Sequence, residues 1–243
     1  MKNSRLEILF NTLSSKDLRA FQKFICSPFF NQEQQLIDFF NFLVAYAKRF
    51  KGFPSKEKIA AHIYPKQVYK DVKVRLLMSS LHKLIEHFLA YKGFFQNPIQ
   101  SKIQLAKTYR LHNLSKHFEK NYKEALKIQE QESLRGVEYF YNKYQLQLEH
   151  YQFLSSNKRT EDLYLQELSN TIDLSFTILK LRQTCYILAH QQVYKKEYDF
   201  GLLDAVIDNA KKTEQLEVPA VAVYYYCYLM SVSYTHLTLP TKA

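Results

Sequence analysis

Hydrophobic residues recur at helical spacing along almost the whole chain, and most clearly from Val72 to Leu89. At about 100° per residue the apolar side chains of this stretch share an arc of roughly 140°, and polar side chains occupy the rest apart from Leu76. No Gly or Pro interrupts the pattern before Gly93. The pattern predicts an amphipathic helix with these apolar residues on one face: Val74, Leu77, Met78, Leu81, Leu84, Ile85, Phe88 and Leu89.

The same spacing predicts shorter helices before this stretch. Ser14 or Ser15, Asn31 and Ser55 are suited to cap the second, third and fourth of them. The second is expected to stop at Ser27-Pro28, because a residue before proline is disfavoured in a helix. The first, third and fourth predicted helices are Arg5–Leu13, Gln32–Arg49 and Lys56–Tyr64. We predict an N-terminal helical bundle over residues 1–93.

The spacing also predicts helices over residues 94–230, separated by short polar segments. The chain has only 4 Gly and 6 Pro, too few for the turns of a β or α/β protein, so the predicted fold class is all-α. Leu163–Lys195 can be one helix or two joined near Asn170. The other predicted helices are Ile99–His112, Lys116–Glu132, Val137–Leu154, Leu202–Lys211 and Ala220–Met230.

Tyr122-Lys123-Glu124-Ala125-Leu126 resembles the opening of the second helix of a tetratricopeptide repeat, although the W-x-x-L-G pattern is missing. The resemblance implies that residues 94–230 form an array of antiparallel helix pairs, an α-solenoid that presents a surface to a protein partner. Tyrosine gives a large contact area at low entropic cost. Tyr139 and Tyr144 fit a core role better, which leaves Tyr141 and Tyr151 as candidate protein-binding residues.

The first hundred residues resemble a group of uncharacterised helical bacterial proteins, which implies no particular activity. Four features carry this likeness: Ser27-Pro28-Phe29-Phe30-Asn31, Lys56-Glu57-Lys58-Ile59, Ile63-Tyr64-Pro65, and Met78-Ser79-Ser80-Leu81 followed by Phe88-Leu89.

The net charge of +11 lies in the first half, since residues 1–130 carry +13 and residues 131–243 carry −2. A basic half can face nucleic acid, anionic lipid or an acidic protein. Lys73, Arg75 and Lys83 on the 72–89 helix are the candidate nucleic-acid contacts. Residues 55–92 resemble the winged-helix part of bacterial activators that also carry tetratricopeptide repeats, but Phe94–Asn97 leads straight into another helix where a β-wing should follow.

Catalytic and cofactor motifs are absent from the sequence, which contains neither a phosphate-binding glycine loop nor a G-x-S-x-G nucleophile. His82 and His87 lie about 140° apart on a helix and cannot share one metal ion. Cys26, Cys185 and Cys227 form no close pair, which favours a reducing compartment, and Cys26 is predicted to be a small buried residue.

These patterns favour a cytoplasmic, non-catalytic scaffold or adaptor without cofactors or metals, which binds a protein of unknown identity. The sequence has no signal peptide and no run of about 18 apolar residues that could span a membrane. The alternative is a DNA-binding transcriptional regulator that uses the 72–89 helix.

The end of the sequence differs in character from the rest. Residues 232–241 resemble a translated sequencing adapter, since the transposase adapter encodes these ten residues in order. Ala220–Met230 is a helix still in progress where this stretch begins, and a repeat array normally ends in a polar capping helix. We therefore expect residues 231–243 to be a non-native tail and the natural product to continue beyond about Met230.

Overall fold

The computed structural model describes residues 4–50, 52–65, 67–157 and 162–237. Helix caps and apolar stripes determine where the first helices of the chain form. The described residues form eleven α-helices and one 3₁₀ turn and contain no strand, which confirms the predicted all-α class. Two compact units divide the chain, Met1–Gln96 and Asn97–Ala243, here called the N-terminal and C-terminal units. The helices of the N-terminal unit are α1 (Arg5–Asn11), α2 (Ser15–Ile25), α3 (Gln34–Arg49), α4 (Lys56–Ile63) and α5 (Asp71–Gln96).

Serine caps begin three of these helices. The Ser4, Ser14 and Ser55 hydroxyls each accept a hydrogen bond from a backbone N–H in the first turn of α1, α2 and α4. The predicted Asn31 cap was wrong, because α3 begins at Gln34. Asn31 instead donates to the Ile25 carbonyl at 2.9 Å and accepts from the Glu33 amide at 3.1 Å, so it fastens the loop between α2 and α3.

Helix α5 is the 26-residue helix that the 72–89 pattern predicted. All but one of its predicted apolar positions are buried, and Leu89 is half-buried. Gly93, the first glycine to interrupt the predicted pattern, does not end the helix, since α5 continues to Gln96. Glycine in a helix interior costs only about 1 kcal/mol relative to alanine, which the buried apolar face of the preceding turns can offset.

The core of the N-terminal unit is aromatic at its centre. Phe21 is fully buried, and its ring lies 4.8 Å from Phe40 and 5.4 Å from Phe88 in edge-to-face arrangements. These contacts join α2, α3 and α5 through the geometry that aromatic quadrupoles prefer. Ile59 of α4 and Ile85 of α5 are also fully buried in this core.

The C-terminal unit is built from longer helices. Helix α6 packs against α7 and α8, α8 packs against α9, and α9 packs against α10 and α11. Leu165–Tyr194 is one continuous helix, which decides between the two readings of that segment. The helices of this unit are α6 (Pro98–Leu111), α7 (Ser115–Glu130), α8 (Val137–Asn157), α9 (Leu165–Tyr194), α10 (Leu203–Lys212) and α11 (Pro219–Leu237), with the 3₁₀ turn at Gln215–Glu217.

Helix α11 begins at Pro219 and extends past Met230 to Leu237, and residues 238–243 of the predicted tail lie outside the described residues. The prediction that Cys26 is buried was wrong. Cys26 is exposed at the end of α2, where the Gln22 amide donates to its sulfur at 3.2 Å. At about 100° per residue Cys26 lies to one side of the stripe formed by Phe21, Phe24 and Ile25, so the burial of that stripe does not extend to it.

Candidate functional site

The polar face of α5 borders a basic cleft of about 550 Å³ in the N-terminal unit. Arg75 and Lys83 line it and both are exposed, whereas Lys73 is exposed outside it. The structure therefore brings together two of the three predicted nucleic-acid contacts. The other basic side chains of the cleft are Arg5, Lys56 and His82.

Acidic partners offset part of the charge in the basic cleft. Asp71 binds Arg75 Nη2 at 2.6 Å and Lys56 Nζ at 2.9 Å, and the hydrogen bond from Lys56 leads the effects that lower the pKa of Asp71 below its ordinary value. Lys73 donates to Gln67 Oε1 at 2.9 Å and lies over the Tyr64 ring. Lys83 is therefore the least paired of the three predicted nucleic-acid contacts.

A second surface of the N-terminal unit is apolar, and the sequence reasoning missed it. It is a groove of about 610 Å³ between the ends of α2 and α5, here called the aromatic groove. The ring of Phe30 stacks on Phe24 at 3.9 Å and meets Tyr91 at 5.5 Å, and Tyr91 lies 4.6 Å from Phe95. Phe95 is 56% exposed, and Phe29, which precedes Phe30 in the sequence, is 87% exposed.

Lysine side chains border the aromatic groove. Lys92 pairs with Asp17, and this bond is the first cause that lowers the pKa of Asp17 to about 2. Lys16 and Lys23 are exposed at the groove and have no acidic partner among the residues that the structure describes. The groove is therefore apolar at its floor and positive at its border.

The C-terminal unit contains a third cavity, a cleft of about 410 Å³ lined from α7, α8 and the start of α9, here called the α7–α9 cleft. Three of its rings are close to parallel. His150 stacks on Tyr122 at 4.2 Å with 13° between the planes, and lies 5.9 Å from Tyr164 with 27° between the planes. Tyr164 has the left-handed backbone conformation, φ 53°, and about half of its surface is exposed.

Polar groups in the α7–α9 cleft surround these rings. Gln147 Nε2 donates to Glu167 Oε1 at 2.7 Å. Burial, followed by the charge of Glu167, raises the pKa of Tyr122 to about 12. Burial lowers the pKa of His150 below its ordinary value, and the Glu167 carboxylate acts in the opposite direction. The negative charge of Glu167 therefore acts on the side chains of both Tyr122 and His150.

The two predicted protein-binding tyrosines lie on α8 and do not line this cleft. Tyr141 is 44% exposed and Tyr151 is half-buried, and neither lines a cavity of the C-terminal unit described above. Tyr139, assigned to the core, is half-buried and does line the α7–α9 cleft. The roles of Tyr141 and Tyr151 stay predictions.

Within the described ranges, no group of three or more His, Cys, Asp or Glu side chains is placed to hold a metal ion. No helix in the described part of the chain has both the length and the apolar character of a membrane span. Comparisons of the chain with protein-family models, curated protein sequences and solved structures found no match.

Proposed function

We propose that the protein is a non-catalytic adaptor whose aromatic groove docks a segment of another protein. The observation that carries this proposal is the row of partly exposed rings formed by Phe30, Tyr91 and Phe95. Contiguous exposed apolar patches mark interaction sites, and aromatic side chains are enriched at the centres of such sites. Isolated exposed aromatic residues would carry no such argument.

The charge at the groove supports a choice of partner chemistry. Lys16 and Lys23 are available for ion pairing, and residues 1–96 hold 16 Lys and Arg against 7 Asp and Glu. A segment that is apolar on one side and acidic on the other would match the floor and the border together. We therefore propose an acidic, amphipathic partner helix as the occupant.

The C-terminal unit is proposed as the second arm of this adaptor, a tetratricopeptide-like array of stacked helix pairs. The contacts of α6 with both α7 and α8, and of α8 with α9, support that arrangement. The cysteines Cys26, Cys185 and Cys227 are free, which supports a cytoplasmic location.

Binding of a synthetic helical peptide to the full chain tests the proposal. The peptide has about 15 residues, with Leu and Phe on one face and Glu on the other, and a matched version carries Lys in place of Glu. We expect fluorescence anisotropy to show at least about tenfold tighter binding of the Glu peptide. Phe95→Asp should abolish most of this affinity, because a carboxylate then replaces an aromatic anchor, and Lys23→Glu should shift the preference toward the Lys peptide.

Leu76→Asp is the control, since Leu76 is 64% exposed on the same helix and does not line the groove. Equal binding of the two peptides, or equal loss in the Phe95 and Leu76 variants, would contradict the proposal. Sedimentation of the chain alone supplies a further check. A dimer that Phe95→Asp dissociates would place a second copy in the groove and overturn the acidic partner.

A second candidate function is DNA binding through the polar face of α5, favoured by the meeting of Arg75 and Lys83 in the basic cleft. Under this hypothesis the affinity for duplex DNA falls as the salt concentration rises. Replacing Lys73, Arg75 and Lys83 by Ala should reduce the slope of log affinity against log salt concentration by about one for each lost phosphate contact. An electrophoretic shift assay at low and near-physiological salt measures both. As a control, replacing Lys107, Lys116 and Lys120 by Ala removes the same positive charge from the C-terminal unit. Equal loss in both triple variants, or no binding at low salt, contradicts this candidate.

A further inference from the structure

The α7–α9 cleft contains a buried hydrogen-bond acceptor without a donor. The side-chain oxygen of Gln147 is buried, and no described residue donates a hydrogen bond to it. Its orientation is fixed, because the amide nitrogen of the same side chain donates to Glu167 Oε1 at 2.7 Å. Rotating the amide would place its oxygen against a carboxylate oxygen, which also accepts. Buried acceptors are normally satisfied, so this unpartnered oxygen points to a bound group that donates to it.

The charge of the cleft indicates that this donor is positive. Glu130 and Glu167 are both part of its lining, and Lys143 offsets one of them. His150 is held toward its neutral form by burial, so it adds no positive charge that would repel a cation. Glu167 is exposed, so its carboxylate would repel an anionic ligand and can pair with a positive one.

The rings of the cleft add a preference for a flat cation. Tyr122, His150 and Tyr164 lie close to parallel, and Tyr164, which is about half exposed, sits where the chain enters α9. Cations bind over aromatic faces, and a guanidinium group also stacks on them through its own plane. Its fork of N–H donors can reach two acceptors at once, whereas an ammonium group is a compact point charge.

We infer that the α7–α9 cleft binds a guanidinium group, as carried by an arginine side chain of a partner. Gln147 Oε1 and the Glu167 carboxylate accept its N–H groups, and Tyr164 stacks against its plane. The inference stands on residues of the C-terminal unit and does not depend on the aromatic groove. With the groove, it would give the protein two separate docking sites of opposite preference, one for acidic and one for basic segments.

Two blocked amino acids, N-acetyl-arginine amide and N-acetyl-citrulline amide, test the inference on the full chain. Citrulline has almost the same shape as arginine but is neutral. We expect titrations followed by ¹H–¹⁵N correlation spectra to give about tenfold weaker binding of the citrulline compound. Shifted resonances should include the Gln147 side-chain amide and backbone amides at the start of α9.

Three variants locate the site. Glu167→Gln and Gln147→Met should each weaken arginine binding severalfold, because each removes one acceptor while keeping the side-chain length. Glu197→Gln, an exposed position between α9 and α10, makes the same charge change outside the cleft and should leave binding unchanged. Equal affinity for the citrulline compound, or equal effects of Glu167→Gln and Glu197→Gln, overturns the inference. Equal affinity for N-acetyl-lysine amide overturns the assignment of the guanidinium group.

Discussion

Replacing Phe21 by alanine is expected to lower the free energy of unfolding of the N-terminal unit by about 3–5 kcal/mol. Phe21 is fully buried, and its ring contacts Phe40 and Phe88 from two other helices. Truncation therefore removes the transfer energy of a whole ring and leaves a cavity at the point where three helices meet, which the surrounding rings cannot fill without leaving their edge-to-face geometry.

Hydrogen exchange measured by mass spectrometry at increasing urea follows this effect in α1–α5 separately from the rest of the chain. Phe29→Ala is the matched control, because that ring is 87% exposed and its removal should change stability by no more than about 0.5 kcal/mol. Comparable losses in the two variants would mean that Phe21 does not lie at the centre of the core.

The helices were predictable from the sequence because their signals are local. A serine hydroxyl placed three residues before an acidic side chain, as in Ser14 and Asp17, marks a helix start without reference to any distant residue. The errors arose where packing decides between local options. Gly93 stays helical within α5, and Asn31 fastens a loop instead of capping α3, because its bond to the Ile25 carbonyl depends on how α2 ends.

The candidate sites were harder to predict, since periodicity tells which face of a helix is apolar but not what covers that face. Phe88 and Tyr91 lie three residues apart on α5 and both line the aromatic groove, yet Phe88 is buried and Tyr91 is 47% exposed. The α7–α9 cleft joins Tyr122, Gln147 and Glu167 from three helices, and no spacing rule links such distant positions. Only Pro28 followed by Phe29 and Phe30 offered a signal, because consecutive rings in a loop have little room to be buried together.

Glu149→Ala is expected to destabilise the C-terminal unit by about 3 kcal/mol, near the lower end of what the loss of one partner of a buried ion pair costs. Glu149 is 8% exposed, and its Oε2 accepts from Arg110 Nε at 2.8 Å, so the pair ties α8 to α6. Removing the carboxylate leaves the largely buried Arg110 guanidinium without a compensating charge, which is the main source of the loss. Hydrogen exchange in α6 and α8 during urea unfolding gives the change in free energy.

The double substitution Arg110→Met and Glu149→Leu separates the cost of an unpaired charge from the value of the pair itself. Apolar side chains of similar size remove both desolvation penalties, so the double variant should lie within about 1 kcal/mol of the native chain and above the single variant in stability. Glu138→Ala is the surface control, because Glu138 pairs with Arg182 at 3.0 Å while its own side chain is 75% exposed, and such pairs contribute at most about 1 kcal/mol. If the double variant were as unstable as Glu149→Ala, the pair would owe its effect to the specific geometry of its hydrogen bond rather than to the buried charge of Arg110.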